Sequence, residues 1–152
     1  MLDRFYVLEY SDWSCVVPVT PGGEVVMVEQ WRHAIERRSL EFPAGGVDQG
    51  EAPEAAARRE LREEAGAEAG PLVHLGTLAT EPSRHTNWAH LYLARDAEIT
   101  RAPSPDASED LTVRTVPLSG LADLVARGGI VHGVHAAAAM LALARMPSHA
   151  SR

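Results

Sequence analysis

Residues 45–67 read GGVDQGEAPEAAARRELREEAGA, from Gly45 to Ala67. Gly45, Gly46 and Gly50 make the first part a loop, and Pro53 stands where a first helical residue tolerates a missing N–H. Ala55 to Ala65 is built from strong helix formers, and Gly66 ends the run as a C′ glycine does. Acid concentrates near the helix end. Glu60, Glu63 and Glu64 fall at relative positions 0, 3 and 4, so an α-helix turns all three toward one side. Like charges at that spacing destabilise a helix by roughly a few tenths of a kcal/mol per pair. Two readings are open at this point. A hard divalent cation would remove the repulsion, and carboxylate oxygens are the ligands Mg²⁺ prefers. Alternatively the helix is solvated and laced with ion pairs, since Glu54–Arg58 and Arg59–Glu63 are both i,i+4 pairs.

Outward from this stretch, residues 4–10 (RFYVLEY) and 13–19 (WSCVVPV) are rich in aromatic and β-branched residues and predict strands. Thr20-Pro21-Gly22-Gly23 is a turn signal before a third strand at 24–30, so 13–30 predicts a hairpin. Trp31 to Arg38 reads as a polar connecting loop, and 39–42 as a short strand leading to Pro43-Ala44-Gly45. Downstream, 72–79, 88–94 and 111–117 predict strands, 118–127 a short helix and 133–145 an Ala/Leu helix. Residues 95–109, with acid, proline and serine, predict a long exposed loop, and Pro147 to Arg152 a frayed tail. Several strands with one mid-chain and two late helices imply an α+β domain or an α/β/α sandwich spanning 1–146.

Composition bounds the partners. The chain has 152 residues, 45% of them hydrophobic, which is enough for one domain with a proper core. The net charge is −7, and all 14 basic residues are arginine. An acidic chain lacks the broad basic footprint of a nucleic-acid binder, yet it can hold a phosphate-bearing substrate where metal ions supply positive charge. Cys15 is the single cysteine, so an internal disulfide and a cysteine-based zinc site are both ruled out, and its apolar neighbours make it a core residue. No segment reaches about 18 apolar residues and the N-terminus has no apolar signal core, so a cytoplasmic protein with no membrane partner is expected.

Taken as spacing, the opening stretch is Gly45, five residues, Glu51, seven residues, then Arg59-Glu60-Leu61-x-Glu63-Glu64-x-Gly66-Ala67. This resembles the Nudix box, the signature of the Nudix hydrolases, with Ala67 where the family usually has a larger aliphatic. The flanks Glu29-Gln30-Trp31-Arg32-His33 and Leu40-Glu41-Phe42-Pro43-Ala44-Gly45 resemble the ADP-ribose pyrophosphatase branch. So does Pro82, fifteen residues past Ala67, although Ser83 follows where the branch often has glycine. The resemblance covers roughly residues 13–145. It implies an α+β fold, the Nudix-like α/β/α sandwich with a mixed β-sheet. It also implies hydrolysis of ADP-ribose or a related nucleoside diphosphate sugar to a nucleoside monophosphate and a sugar phosphate. The alternatives are another nucleotide substrate, such as a dinucleoside polyphosphate or a nucleoside triphosphate, or a Nudix sensor that binds without turnover.

The same resemblance distributes roles. Glu60, Glu63 and Glu64 would hold Mg²⁺, with Mn²⁺ as the other candidate, and the Ala44 carbonyl would complete a site. Glu51 is either an outer ligand or a brace for the loop, and Arg59, grouped with the catalytic set, ties the helix to the loop through Glu51 or Glu63. Gly45, grouped with the substrate-binding residues, permits close backbone approach of the loop to the helix and the metals. For the general base the branch points to an acid shortly before the strand at 111–117: Glu109 first, Asp106 or Asp110 after it. Glu60 is the alternative. Arg32 offers a bidentate fork to a phosphate or the terminal ribose, and Glu41 would bind substrate hydroxyls or orient Arg32. Trp13, Trp31 and Trp88 read as core or interface residues ahead of base-stacking ones. His85, His90, His132 and His135 read as surface or core residues and not as zinc ligands. The branch commonly dimerises, so a homodimer through Trp13 and the N-terminal strands is expected.

Overall fold

The run from Trp13 to Pro18 is apolar at almost every position because both of its faces are covered, as in the middle strand of a layered fold. The computed structural model describes residues 4–104 and 110–146. In chain order the strands and helices are β1 (Trp13–Pro18), β2 (Glu24–Arg32), β3 (Arg37–Glu41), β4 (Ala44–Gly46), α1 (Pro53–Ala65), β5 (Ala67–Glu68), β6 (Leu72–Ala79), β7 (Trp88–Ala94), β8 (Glu98–Ile99), β9 (Leu111–Pro117), α2 (Leu121–Ala126) and α3 (Gly133–Arg145). One sheet runs β4-β1-β7-β6, a second β3-β2-β9, and β5 pairs with β8. The first is mixed: β1 and β7 are parallel, whereas β1–β4 and β6–β7 are antiparallel.

Strand alternation sorts the side chains into two cores. Cys15 and Val17 of β1, Val25 and Met27 of β2, and Leu91 and Leu93 of β7 pack with Leu121 of α2 and with Ala138, Ala139 and Ala142 of α3. The residues between them, Val16, Val26, Tyr92 and Ala94, pack with Ala57, Leu61 and Ala65 of α1. The sheets thus lie between α1 and the α2–α3 pair, which is the expected α/β/α sandwich with a mixed sheet. Alanine on α3 lets that helix approach closely, while each fully buried Leu or Val contributes about 1.5–3 kcal/mol of apolar burial.

Several local expectations give way. The expected hairpin over 13–30 does not form, because β1 and β2 belong to different sheets. They share one bridge, Val19 with Val25, and then separate so that each can bury both faces. Residues 4–10 are not a strand. Only Leu8 makes a bridge, to His85, and Phe5, Tyr6 and Val7 are exposed, so the β-prone composition has no ladder to satisfy it. Trp31 to Arg38 is a tight hairpin and not a loop, with Trp31 opposite Arg38 and Arg32 opposite Arg37. Its reversal uses a 3₁₀ turn at His33–Ile35 and a left-handed Glu36 at φ 49°. Within 95–104 the chain is not wholly loop either, since β8 pairs with β5 just beyond α1. The 118–127 helix divides into a 3₁₀ turn, Leu118–Gly120, and α2.

Candidate active site

Helix α1 buries two glutamates along with its apolar stripe. Glu60 is 8% and Glu64 2% exposed, on the face that also carries Ala57 and Leu61. Carboxylates are almost never this buried without a partner. Glu64 Oε2 accepts the Ala44 N–H at 2.9 Å, which ties the helix to β4. A Cβ added at Gly45 would overlap the Glu60 carboxylate, so a larger residue there would push that side chain from its place.

Arg59 is the hub of the loop. Its Nε and Nη2 donate to the two oxygens of Glu51 at 3.2 and 3.1 Å, and Nη2 also donates to the Gly46 carbonyl at 2.8 Å. Its Nη1 donates to Glu60 Oε1 at 2.5 Å and to Glu63 Oε2 at 3.2 Å. The Glu51 bonds, followed by those to Glu60 and Glu63, raise the pKa of Arg59 still further, so it stays cationic. Glu51 is held below the usual carboxylate range by Arg59 first and then by the Asp48 N–H. Through these bonds Glu51 links the loop to α1. One arginine therefore offsets a cluster of three carboxylates.

On the other side of Gly45 opens a cleft of about 650 Å³, within the size range of small-molecule sites. Its walls include Trp13, Arg32, Glu41, Gly45, Gly46, His132 and His135. Arg32 and Glu41 face each other across the β2–β3 hairpin, Nε to Oε1 at 2.9 Å and Nη2 to Oε2 at 2.5 Å, a bidentate pair. Glu41 is 1% exposed, whereas the Arg32 side chain is 43% exposed toward the cleft. Burial pushes the Glu41 pKa up, but the Arg32 hydrogen bonds and the other neighbouring groups outweigh it and leave the pKa lowered. His135 is buried in the wall from α3, and burial pushes its pKa down to about 3.

The donor set fits a hard divalent cation. Glu60, Glu63 and Glu64 offer carboxylate oxygens, and the missing Cβ at Gly45 leaves Glu60 a cradle against β4. With these rotamers Glu60 and Glu63 are turned onto Arg59, and among the described residues no three acidic, histidine or cysteine side chains already surround one point. Ligation would therefore draw Glu60 and Glu63 away from Arg59.

The structure brings Arg32, Glu41, Ala44 and Gly45 to one cleft, with Glu60 and Glu64 behind Gly45. Glu109 and Asp106 lie outside the described residues. Asp110 is exposed and bonds Arg38 at 2.8 Å, near the turn of the β2–β3 hairpin. Trp31 and Trp88 are exposed, contrary to a core role, whereas Trp13 is half-buried against His132 and His135. His132 and His135 were legible only as surface or core residues, yet both line the cleft. The one available signal was their spacing of three at the start of an Ala/Leu helix.

A family model described as a NUDIX domain matches residues 12–132. The chain is 36% identical over 130 residues to an ADP-ribose pyrophosphatase of Mycobacterium tuberculosis, covering 84% of this chain and 63% of the relative. It is 35% identical over 120 residues to an ADP-ribose pyrophosphatase of Bacillus subtilis, covering 78% of this chain and 65% of that one. The chain thus spans a little under two thirds of the length of these two relatives. A solved structure described as an ADP compounds hydrolase superposes with a TM-score of 0.79 at 26% identity, over 88% of this chain and 71% of that one.

Proposed function

The chain belongs to the Nudix family, and from that premise we propose that it is a divalent-metal-dependent pyrophosphohydrolase acting on ADP-ribose or a similar nucleoside diphosphate sugar. The observation that carries this reading is a juxtaposition. Two buried glutamates one helical turn apart stand behind Gly45, and a cleft lined by the part-exposed Arg32 opens in front of it. The relatives whose names specify ADP-ribose pyrophosphatase supply the substrate class.

Glu60, Glu63 and Glu64, with the Ala44 carbonyl, would hold Mg²⁺ or Mn²⁺, which supplies charge neutralisation of the pyrophosphate and acidifies the attacking water. The chain's own residues do the rest. Arg32, oriented by Glu41, binds a phosphate oxygen or the terminal ribose. Arg59 and Glu51 keep the loop rigid, so the Gly45 and Gly46 backbone keeps its place beside the bond to be cut. Glu109 accepts the proton of the attacking water. Water adds at one phosphorus and the bridging oxygen leaves with the other phosphate, giving AMP and a sugar phosphate.

Among the described residues no helix is long and apolar enough to cross a membrane. The exposed Phe5, Tyr6 and Val7 support a homodimer built on the N-terminal segment. A panel of nucleoside diphosphate derivatives, dinucleoside polyphosphates and nucleoside triphosphates, assayed with Mg²⁺, tests the substrate. ADP-ribose is expected to give AMP and ribose phosphate at the highest kcat/KM, and preference for a triphosphate would overturn the substrate class.

A further inference from the structure

The α3 wall of the cleft joins the substrate arm to the core. His135 is 1% exposed, and its Nδ1 lies 3.0 Å from the Phe42 backbone nitrogen. A backbone N–H can only donate, so Nδ1 is the acceptor and the proton of the neutral ring sits on Nε2. Nε2 faces Glu41 Oε2 at 3.4 Å, the same oxygen that receives Arg32 Nη2. Cys15 Sγ, 3.7 Å from Nδ1, is a buried thiol whose pKa burial raises, so it brings no competing charge. The rings of Trp13 and Phe42 pack against the imidazole at centroid distances of 5.5 and 6.0 Å and limit its rotation. A continuous line therefore runs from the Phe42 amide through His135 and Glu41 to Arg32 at the cleft.

We propose that His135 is a positioning residue. Held as the Nε2–H tautomer by the Phe42 N–H, it fixes the Glu41 carboxylate, and through it the Arg32 guanidinium, in the orientation that receives the substrate. This rests on the reading of the cleft as the substrate site. A neutral donor suits the task. An imidazolium would compete with Arg32 for Glu41, whereas a neutral N–H steadies the carboxylate and leaves its charge to the guanidinium. Without that support Glu41 is left to Arg32 and Ser39, and a shift of the carboxylate carries the guanidinium with it.

Two amide variants separate the ring nitrogens. His135→Asn keeps an acceptor near the Nδ1 position, and His135→Gln keeps a donor near the Nε2 position. Long-range ¹H–¹⁵N NMR of the unmodified protein is expected to show the Nε2–H tautomer. The Arg32 Nε–H resonance should stay in place in the Gln variant and shift in the Asn variant. With ADP-ribose, the Asn variant should raise KM about tenfold with kcat within about threefold, and the Gln variant should keep KM within about threefold. An Nδ1–H tautomer, equal KM in both variants, or an unmoved Arg32 signal in the Asn variant would overturn the proposal. The two NMR readouts require no turnover. An inactive protein with the expected tautomer and Arg32 shift would count against the substrate reading alone.

Discussion

Single side chains divide between those whose role could be read from spacing and those whose role comes from folding. Glu60 and Glu64 were legible because one helical turn puts them on one face, and the structure buries both. Arg32 and Glu41 are nine residues apart and come together only because β2 turns back at Glu36, a reversal hidden inside what reads as a polar loop. His135 was less legible still, since nothing in an Ala/Leu helix indicates that one of its members will reach a glutamate 94 residues earlier. At this scale the base assignment is also testable. Glu109→Gln should lower kcat by about 10²–10⁴-fold with little change in KM, the signature of a lost proton acceptor. Steady-state kinetics with ADP-ribose decide it, and a loss of tenfold or less would move the role to another residue.

Among the elements, α1 was placed almost to the residue. Proline at its first position, alanine and leucine through its body and glycine after its end all point the same way. The strands were harder. A buried run such as β1 looks the same whether it pairs with the next strand or with one far along the chain. The turn at 20–23 suggested the local partner, whereas β1 pairs with β4 and β7. Gly66 is the element-level test. It sits at φ 63°, caps α1 through its N–H to the Arg62 carbonyl at 3.0 Å, and faces the Arg101 backbone where a Cβ would have to go. Gly66→Ala should destabilise the fold by about 1–2 kcal/mol from the left-handed conformation alone, and more if Arg101 cannot move. Denaturant unfolding measures this, and an unchanged midpoint would show that α1 can end differently.

For the whole molecule, the layering follows from strand alternation, but the cleft belongs to no single element: the β2–β3 hairpin, β4 and the start of α3 each supply a wall. Its buried groups also set how stability depends on pH. His135 takes up a proton near pH 6.5 when unfolded but only near 3 when folded. Between those values the unfolded chain binds the extra proton, so stability falls as pH falls, by about 1.4 kcal/mol per pH unit for one full proton. His132, also lowered by burial, acts in the same direction. Glu41 adds stability that is present above its ordinary pKa of 4.5 and is lost as pH drops through its lower folded value. Calorimetric Tm should decline from pH 6.5 to 5, where carboxylates remain ionised, and the decline should be shallower in His135→Gln.

The proposed role of the acidic face of α1, behind Gly45, is to hold the metal that drives hydrolysis. Its most direct measurement is the Mg²⁺-dependent turnover of ADP-ribose by the unmodified protein and by Glu64→Gln, with Tm recorded for both. In the variant kcat/KM is expected to fall by at least about 10²-fold, the scale of several kcal/mol of lost charge stabilisation, while Tm stays close to that of the parent. Undiminished Mg²⁺-dependent turnover in folded Glu64→Gln would contradict it.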